Sequence, residues 1–325
     1  MVGRLATVRA AAAALAAAFA LAGCAAAPAT LREPDLIIDR AGEHDGELHM
    51  PRSIALSPQG DRIYVLDRTH RVQVFDTQGR FLRVWTTPLG DLGNPRCVEV
   101  GDDGLVYVAD THNSQIIVYT PDGGEVSRWG RPGQAPGEFA AVTGVARAPD
   151  GTFWTTEYAD YRDRVQKLDA GGAPLLTFGQ FGRGEGDLNR PQGLAVAPDG
   201  RVYVADSVNH RIRILSPAGN LLGGWGTEHG GSAPGELLYP YDLALDRQGR
   251  VYVAEFGNSR ISVFTAEGEF LTAWGRAGRA PGEFDHPWGV AIAPDGEVYV
   301  ADTMNYRIQR FPPLSDRLAG RAAAR

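Results

Sequence analysis

Six side chains recur at one place in a repeating pattern of this 325-residue chain: Arg52, Arg96, Thr143, Gln192, Tyr241 and Trp288. Each directly follows the residue that opens a copy of the pattern, a Pro in five copies and Val142 in the third. Two guanidiniums on neighbouring copies and two aromatic rings on the next neighbouring pair make a set suited to recognition. The cations can hold an anionic group through charge-assisted hydrogen bonds, and the rings can stack an apolar or sugar ring or a cation. Two acids, Glu99 and Asp242, stand close by in sequence at positions that other copies give to small residues. They are accessory candidates, or else partners that simply neutralise the two arginines. The third copy also carries a longer turn, Glu157 to Arg164, which adds Tyr158, Tyr161 and Arg162 as candidates. No G-x-S-x-G nucleophile motif and no H-E-x-x-H metal motif occurs, so no catalytic residue is assigned.

The elements that must position these residues follow from the repeat. Copies begin at Pro51, Pro95, Val142, Pro191, Pro240 and Pro287, a period of 44 to 49 residues. That period, with four short β-prone runs per copy, predicts a six-bladed β-propeller, all-β and closed around one channel. In the fourth copy the runs are Gly193–Val196, Val202–Ala205, Arg211–Leu215 and Leu221–Trp225, with Asp199-Gly200 and Ala218-Gly219 at tight turns. First runs carry small residues (Gly144, Ala146, Gly193, Ala195, Gly289, Ala291) and fourth runs end on large rings (Trp85, Trp129, Phe178, Trp225, Trp274). A wedge-shaped blade packed to native density needs that gradient, small at the axis and large at the rim. The sixth copy stops after its third run at Phe311, while Leu36–Gly42 matches 271–278. Residues 35–40 are therefore expected to supply the last blade's outer strand and close the ring.

The acids that end each second run, Asp67, Asp110, Glu157, Asp206, Glu255 and Asp302, recur in every copy and are mostly followed by an Arg (71, 164, 211, 260, 307). A feature of every blade reads as scaffold, as do Glu138, Glu236 and Glu283 in the Pro-Gly-Glu loops. The histidines His44, His49, His70, His112, His210, His229 and His286 share no metal-ligand spacing.

Composition limits the partners. Formal charge is −7, falling to −9 if Arg4 and Arg9 are removed, and Lys167 is the sole lysine. An acidic surface without clustered Lys and Arg speaks against nucleic acid. Arg4 and Arg9 precede an Ala/Leu run from Ala10 to Leu21, the form of an export signal rather than a membrane span. Leu21-Ala22-Gly23-Cys24 resembles the bacterial lipoprotein box, which implies lipid on Cys24; the alternative is an ordinary leader with an incidental cysteine. The expected layout is a signal over 1–23, a tether over 24–34, the propeller over 35–311 and a disordered tail over 312–325. Cys97 is the only other cysteine, so no internal disulfide is expected once Cys24 carries lipid.

In these motifs the chain resembles the NHL-repeat six-bladed propellers over residues 35–311. The resemblance rests on Val-Tyr-Val-Ala-Asp with Asn-x-Arg-Ile (203–212, 299–308) and on Trp-Gly with Pro-Gly-Glu-Phe (129–139, 274–284). It implies the fold and leaves function open. Some relatives in animals bind RNA, which the charge here does not favour. A similar scaffold is that of the peptidyl-hydroxyglycine amidating lyase, and more distantly the gluconolactonase-like calcium propellers. In the lyase, zinc-binding histidines follow the Pro on alternate blades; here those places hold Arg52, Arg96, Thr143, Gln192, Tyr241 and Trp288. Its channel arginine and tyrosine align with Val208 and Thr303. No metal ligand and no cofactor is therefore assigned. The reading that emerges is a lipid-anchored extracytoplasmic binding propeller that recognises a peptide, glycan or envelope protein at the channel mouth. The alternative is an amidating-lyase-like or other metal-dependent lyase or hydrolase, with a divalent metal held in the channel by backbone and carboxylate groups.

Overall fold

A computed structural model describes residues 30–88, 95–159 and 161–315. The leader, the lipid site at Cys24 and most of the tail lie outside the described residues. Six four-stranded antiparallel sheets succeed one another along the chain, five of them formed from consecutive strands. The inner strands are Pro51–Leu56, Cys97–Val100, Val142–Arg147, Pro191–Val196, Pro240–Leu245 and Gly289–Ile292. The second strands, such as Val202–Asp206, are buried along their whole length. A sheet covered on both faces has no polar face to alternate with, which is why V-Y-V-A-D lacks period-two patterning. Blades meet through shared apolar clusters. Tyr203 and Ile212 of blade 4, for example, pack with Leu243, Val253 and Phe264 of blade 5.

The size gradient has a concrete counterpart at the rim. Trp85, Trp129 and Trp225, which end outer strands, each cover a turn glycine of the following blade. A Cβ built on Gly123 would lie 2.7 Å from Trp85, and one on Gly172 2.5 Å from Trp129. Both glycines have left-handed backbone (φ +87° and +86°), so the turn and the ring contact both require glycine.

The repeated acid is a buried clamp. Asp206 takes Nε–H of Arg211 at 2.7 Å and the Nδ2 group of Asn209, and Arg211 also donates to the carbonyls of Arg183, Gly184 and Asp187. Asp302–Arg307 and Glu255–Arg260 repeat the arrangement on their own preceding loops. One guanidinium thus satisfies the loop that carries the chain from one blade into the next. In blade 2, Asn113 and Gln115 take the arginine's place on Asp110. Glu138 and Glu283 accept N–H groups of Ala135 and Ala280 at 3.0 Å, which makes them loop braces. Asp206→Ala takes the carboxylate from the half-buried Arg211 guanidinium, which keeps its loop carbonyls, and is expected to cost about 2–3 kcal/mol, read as a loss of denaturant midpoint at unchanged slope. A cost below 1 kcal/mol would show that the clamp is dispensable.

The ring closes as the sequence predicts. Leu36–Ile38 pairs antiparallel with Arg307–Phe311, in the register Leu36 to Arg310 and Ile38 to Ile308. The strand is shorter than the expected 35–40, because the chain turns at Asp39 and Arg40 into a loop where Ala41 bridges Leu48.

Candidate binding site at the channel mouth

The inner strands aim the six recurring side chains through a backbone irregularity. Pairing between first and second strands shifts register between Pro51 and Ser53, Val142 and Gly144, Pro191 and Leu194, and Pro240 and Asp242. Each shift brackets a candidate residue: Arg52, Thr143, Gln192 and Tyr241. A bulge takes such a residue out of the ladder and re-aims its side chain. In blades 2 and 6, Arg96 and Trp288 stand just before the strand and donate N–H to Ala109 and Ala301.

All six line one narrow neck, joined by Ser53, Cys97, Gly193 and Asp242. Its volume is about 20 Å³, room for one water-sized group. The Arg52 guanidinium lies 5.2 Å from the Trp288 ring and that of Arg96 5.5 Å, so both cations share one aromatic ring. Arg96 also donates to Gln192 Oε1 at 3.3 Å. Tyr241 stands 5.2 Å from Trp288, and Thr143 Oγ1 donates to the carbonyl of Pro191. Tyr158 comes to the same place, 5.7 Å from the Arg96 guanidinium. Tyr161 and Arg162 do not. Tyr161 has left-handed backbone (φ 62°), packs edge-on to Phe181 and is 79% exposed, and Arg162 is exposed beside it. The longer turn therefore contributes one side chain to the mouth and directs the others outward.

Other residues join the mouth without having been singled out from sequence. Phe256 stacks on Tyr241 at 4.4 Å and 18°, and His286 lies 4.5 Å from Phe256. Arg190 sits 4.8 Å from Tyr158 and donates to its hydroxyl. Arg190, Tyr239 and His286 each precede the opening Pro and have φ near +50°. Arg68, Tyr158 and Phe256 each follow the second-strand acid. These two repeat positions were the available signal.

Charge at the mouth is one-sided. Among the described residues no carboxylate pairs with Arg52, Arg68, Arg96 or Arg190; Asp67 is committed to Arg71. Burial, then Arg96 and Arg68, push the Arg52 guanidinium down to about 10. Burial, then Arg96 and Arg52, hold His112 below its usual value.

Below the neck the channel widens to a chamber of about 320 Å³, which shares Ser53, Cys97 and Asp242 with the neck. Glu99 and Asp242 line it and do not pair with the arginines, so the neutralising role is not what they do. Burial and the charge of Asp242 raise Glu99 to about 8. Burial raises Asp242 to about 7 although it accepts the N–H of Val290 at 3.0 Å. Among the described residues no three His, Cys, Asp or Glu side chains converge on a metal position.

The NHL repeat family model matches residues 92–119, 188–215, 237–264 and 284–311, one stretch in each of four blades. Protein brain tumor of Drosophila melanogaster is 26% identical over 91 residues, which is 27% of this chain and 9% of that protein. The chain thus spans a small part of that relative. A streptogramin B lyase structure superposes with TM-score 0.59 at 15% identity, covering 85% of this chain and 96% of its own. Virginiamycin B lyase from Staphylococcus aureus does so with TM-score 0.60 at 11% identity, covering 86% and 99%. At these identities the two lyases speak to fold alone. Repeat matches, six closed blades and propeller neighbours agree: the chain is a six-bladed β-propeller, four of whose blades match the NHL repeat.

Proposed function

We propose that this protein is a binding propeller that works outside the cytoplasm, held at a membrane by lipid on Cys24 and engaging a peptide, glycan or protein partner at the channel mouth. The observation that carries this reading is a cluster of arginines that have no carboxylate partner among the described residues, set against the rings of Tyr158, Tyr241, Phe256 and Trp288. Aromatic and Arg side chains grouped at one surface are the usual anchors of recognition, and NHL-repeat propellers support a binding or interaction role in general. Such binding uses side chains alone and needs no cofactor. The cationic mouth occupies one face of an otherwise acidic molecule, which directs acidic partners to it.

A photocrosslinking residue at Tyr239, beside the mouth, is expected to label a discrete partner in the envelope fraction. The same residue at Leu222, on the outer strand of blade 4 and 56% exposed, should label none. Equal labelling from both places would reject the mouth as the working face. In the same cells Cys24→Ala should move the protein from the membrane fraction to the soluble extracytoplasmic fraction; unchanged fractionation would reject the anchor.

A further inference from the structure

The geometry points to a specific ligand chemistry for the neck: we infer that it takes a single carboxylate end-on, carried by an aromatic body that lies against Tyr241 and Trp288. This deepens the reading of the mouth as a binding face and rests on it.

The first ground is a contrast among buried arginines of the same chain. Arg71 and Arg307 are each 6% exposed and fully engaged. Arg71 reaches Asp67, Thr69 and the carbonyls of Gly42, Glu43, His44 and Glu47. Arg307 reaches Asp302 and three loop carbonyls. Arg52 is 8% exposed, yet among the described residues its Nε and Nη1 have no partner, and neither does Nε of Arg96. Leaving a buried charged donor unmatched forfeits its hydration with nothing in return. Arg250, also 6% exposed, has an unmatched Nη1 too, but it holds Asp246 as Arg71 holds Asp67 and Arg307 holds Asp302; among the described residues Arg52 and Arg96 hold no carboxylate. An acceptor with two lone-pair-rich oxygens completes them.

The second ground is shape. A neck of about 20 Å³ admits the end of a ligand, not a chain passing through. Its walls include two guanidinium planes and the Trp288 ring. A planar carboxylate matches the guanidinium fork two oxygens at a time, whereas a tetrahedral phosphate presents a third oxygen and a second charge. Below stands Asp242, which lines both neck and chamber. Burial raises Asp242 to about 7, so this acid is only partly ionised near neutral pH, and a monoanion meets less repulsion there than a dianion would.

The third ground is the wall beside the neck. Tyr241, Phe256 and Trp288 form one continuous aromatic surface. The amide oxygen of Gln192 is taken by Arg96, and the hydroxyl of Thr143 by Pro191. Few acceptors remain there for sugar hydroxyls, so the body favoured is an aromatic ring stacked or set edge-on.

The test uses the full chain with ¹⁵N label at arginine Nε and reads the Arg52 and Arg96 Nε–H signals during titration. The probes are N-acetylphenylalanine, N-acetylphenylalaninamide, glucuronate and inorganic phosphate. N-Acetylphenylalanine is expected to shift both signals saturably, at least tenfold more tightly than the amide, glucuronate or phosphate. Arg96→Gln, at a half-buried position and so less exposed to a folding defect than Arg52→Gln, should weaken that binding about tenfold with the melting temperature unchanged. Equal affinity for acid and amide, phosphate or glucuronate binding as tightly as the acid, or full binding by Arg96→Gln would each overturn the inference. If the titration fails while crosslinking from position 239 persists, the carboxylate assignment falls and the binding face stands. Loss of both removes both.

Discussion

Removal of residues 30–40 should lower the melting temperature by more than 10 °C and broaden the transition, with the loss concentrated at the seam between blades 6 and 1. Leu36–Ile38 is the outer strand of blade 6, so without it Arg307–Phe311 becomes an open edge. Ile38 is buried with Ile54, Ile63 and Phe75 of blade 1 and with Tyr299 and Ile308 of blade 6, which makes it a contact across the seam. Asp35 pairs with Arg310 at 2.8 Å, the Thr30 carbonyl accepts the N–H of Gly275, and the Arg32 guanidinium lies over Trp274 at 4.9 Å. The deletion thus removes a strand ladder, an apolar contact and two polar ties together. Ile38→Ala alone is expected to cost about 2–4 kcal/mol, which for a domain of this size amounts to roughly 5–15 °C. The point variant keeps the ladder and so should melt as cooperatively as the parent. Scanning calorimetry distinguishes the two. A deletion that melts within 3 °C of the parent, as a single sharp transition, would refute the latch.

This latch was legible because the repeat is strict enough for its missing part to be recognised elsewhere: Leu36–Gly42 stands to the last blade as 271–278 stands to the fifth. Blade count, strand order and the clamp of Asp206 and Arg211 were legible for the same reason, since every copy must solve the same packing problem. The neck was legible as well, because departures from a repeat at one fixed place must converge on the axis. Its wall was not. Phe256 and Arg190 reach the mouth from two other repeat positions, and one copy of a position does not reveal which way a bulge or a left-handed residue turns it. Tyr161 shows the converse. Read as part of the mouth because its turn is on that side, it is carried outward to Phe181 by its left-handed backbone. The relation of Glu99 and Asp242 to the arginines was also beyond sequence, since nothing there separates a neck from a chamber beneath it.

That chamber carries the second large expected effect. Glu99→Gln should raise the melting temperature by about 5 °C or more at pH 8 and leave it unchanged at pH 5, and Asp242→Asn should behave alike. Both carboxyls hold their protons in the folded chain up to about 8 and 7, whereas the unfolded chain releases them near pH 4. Between those limits the folded state binds more protons, so stability falls as pH rises from about 4 to 8. The other groups facing the chamber do not compensate. Burial keeps the Cys97 thiol neutral, pushed up to about 12, and Arg147 is turned to Asp102 and Asp103. Because both acids line the chamber and are only half-buried, they retain part of their solvation, and their joint cost at pH 8 is on the order of 2–4 kcal/mol rather than the full shift. Other titrations run the opposite way. Arg80 and backbone N–H groups hold Asp76 low, and a similar pair of causes holds Glu138 low, so their contribution disappears only below about pH 4. His112 and His210, lowered by burial, remove stability as pH falls through their usual range. These terms are common to parent and variant, so the difference between the two melting curves isolates the chamber acids. Parallel curves from pH 5 to 8 would mean that Glu99 and Asp242 are ionised at little cost, with water or a bound cation supplying what the described residues do not.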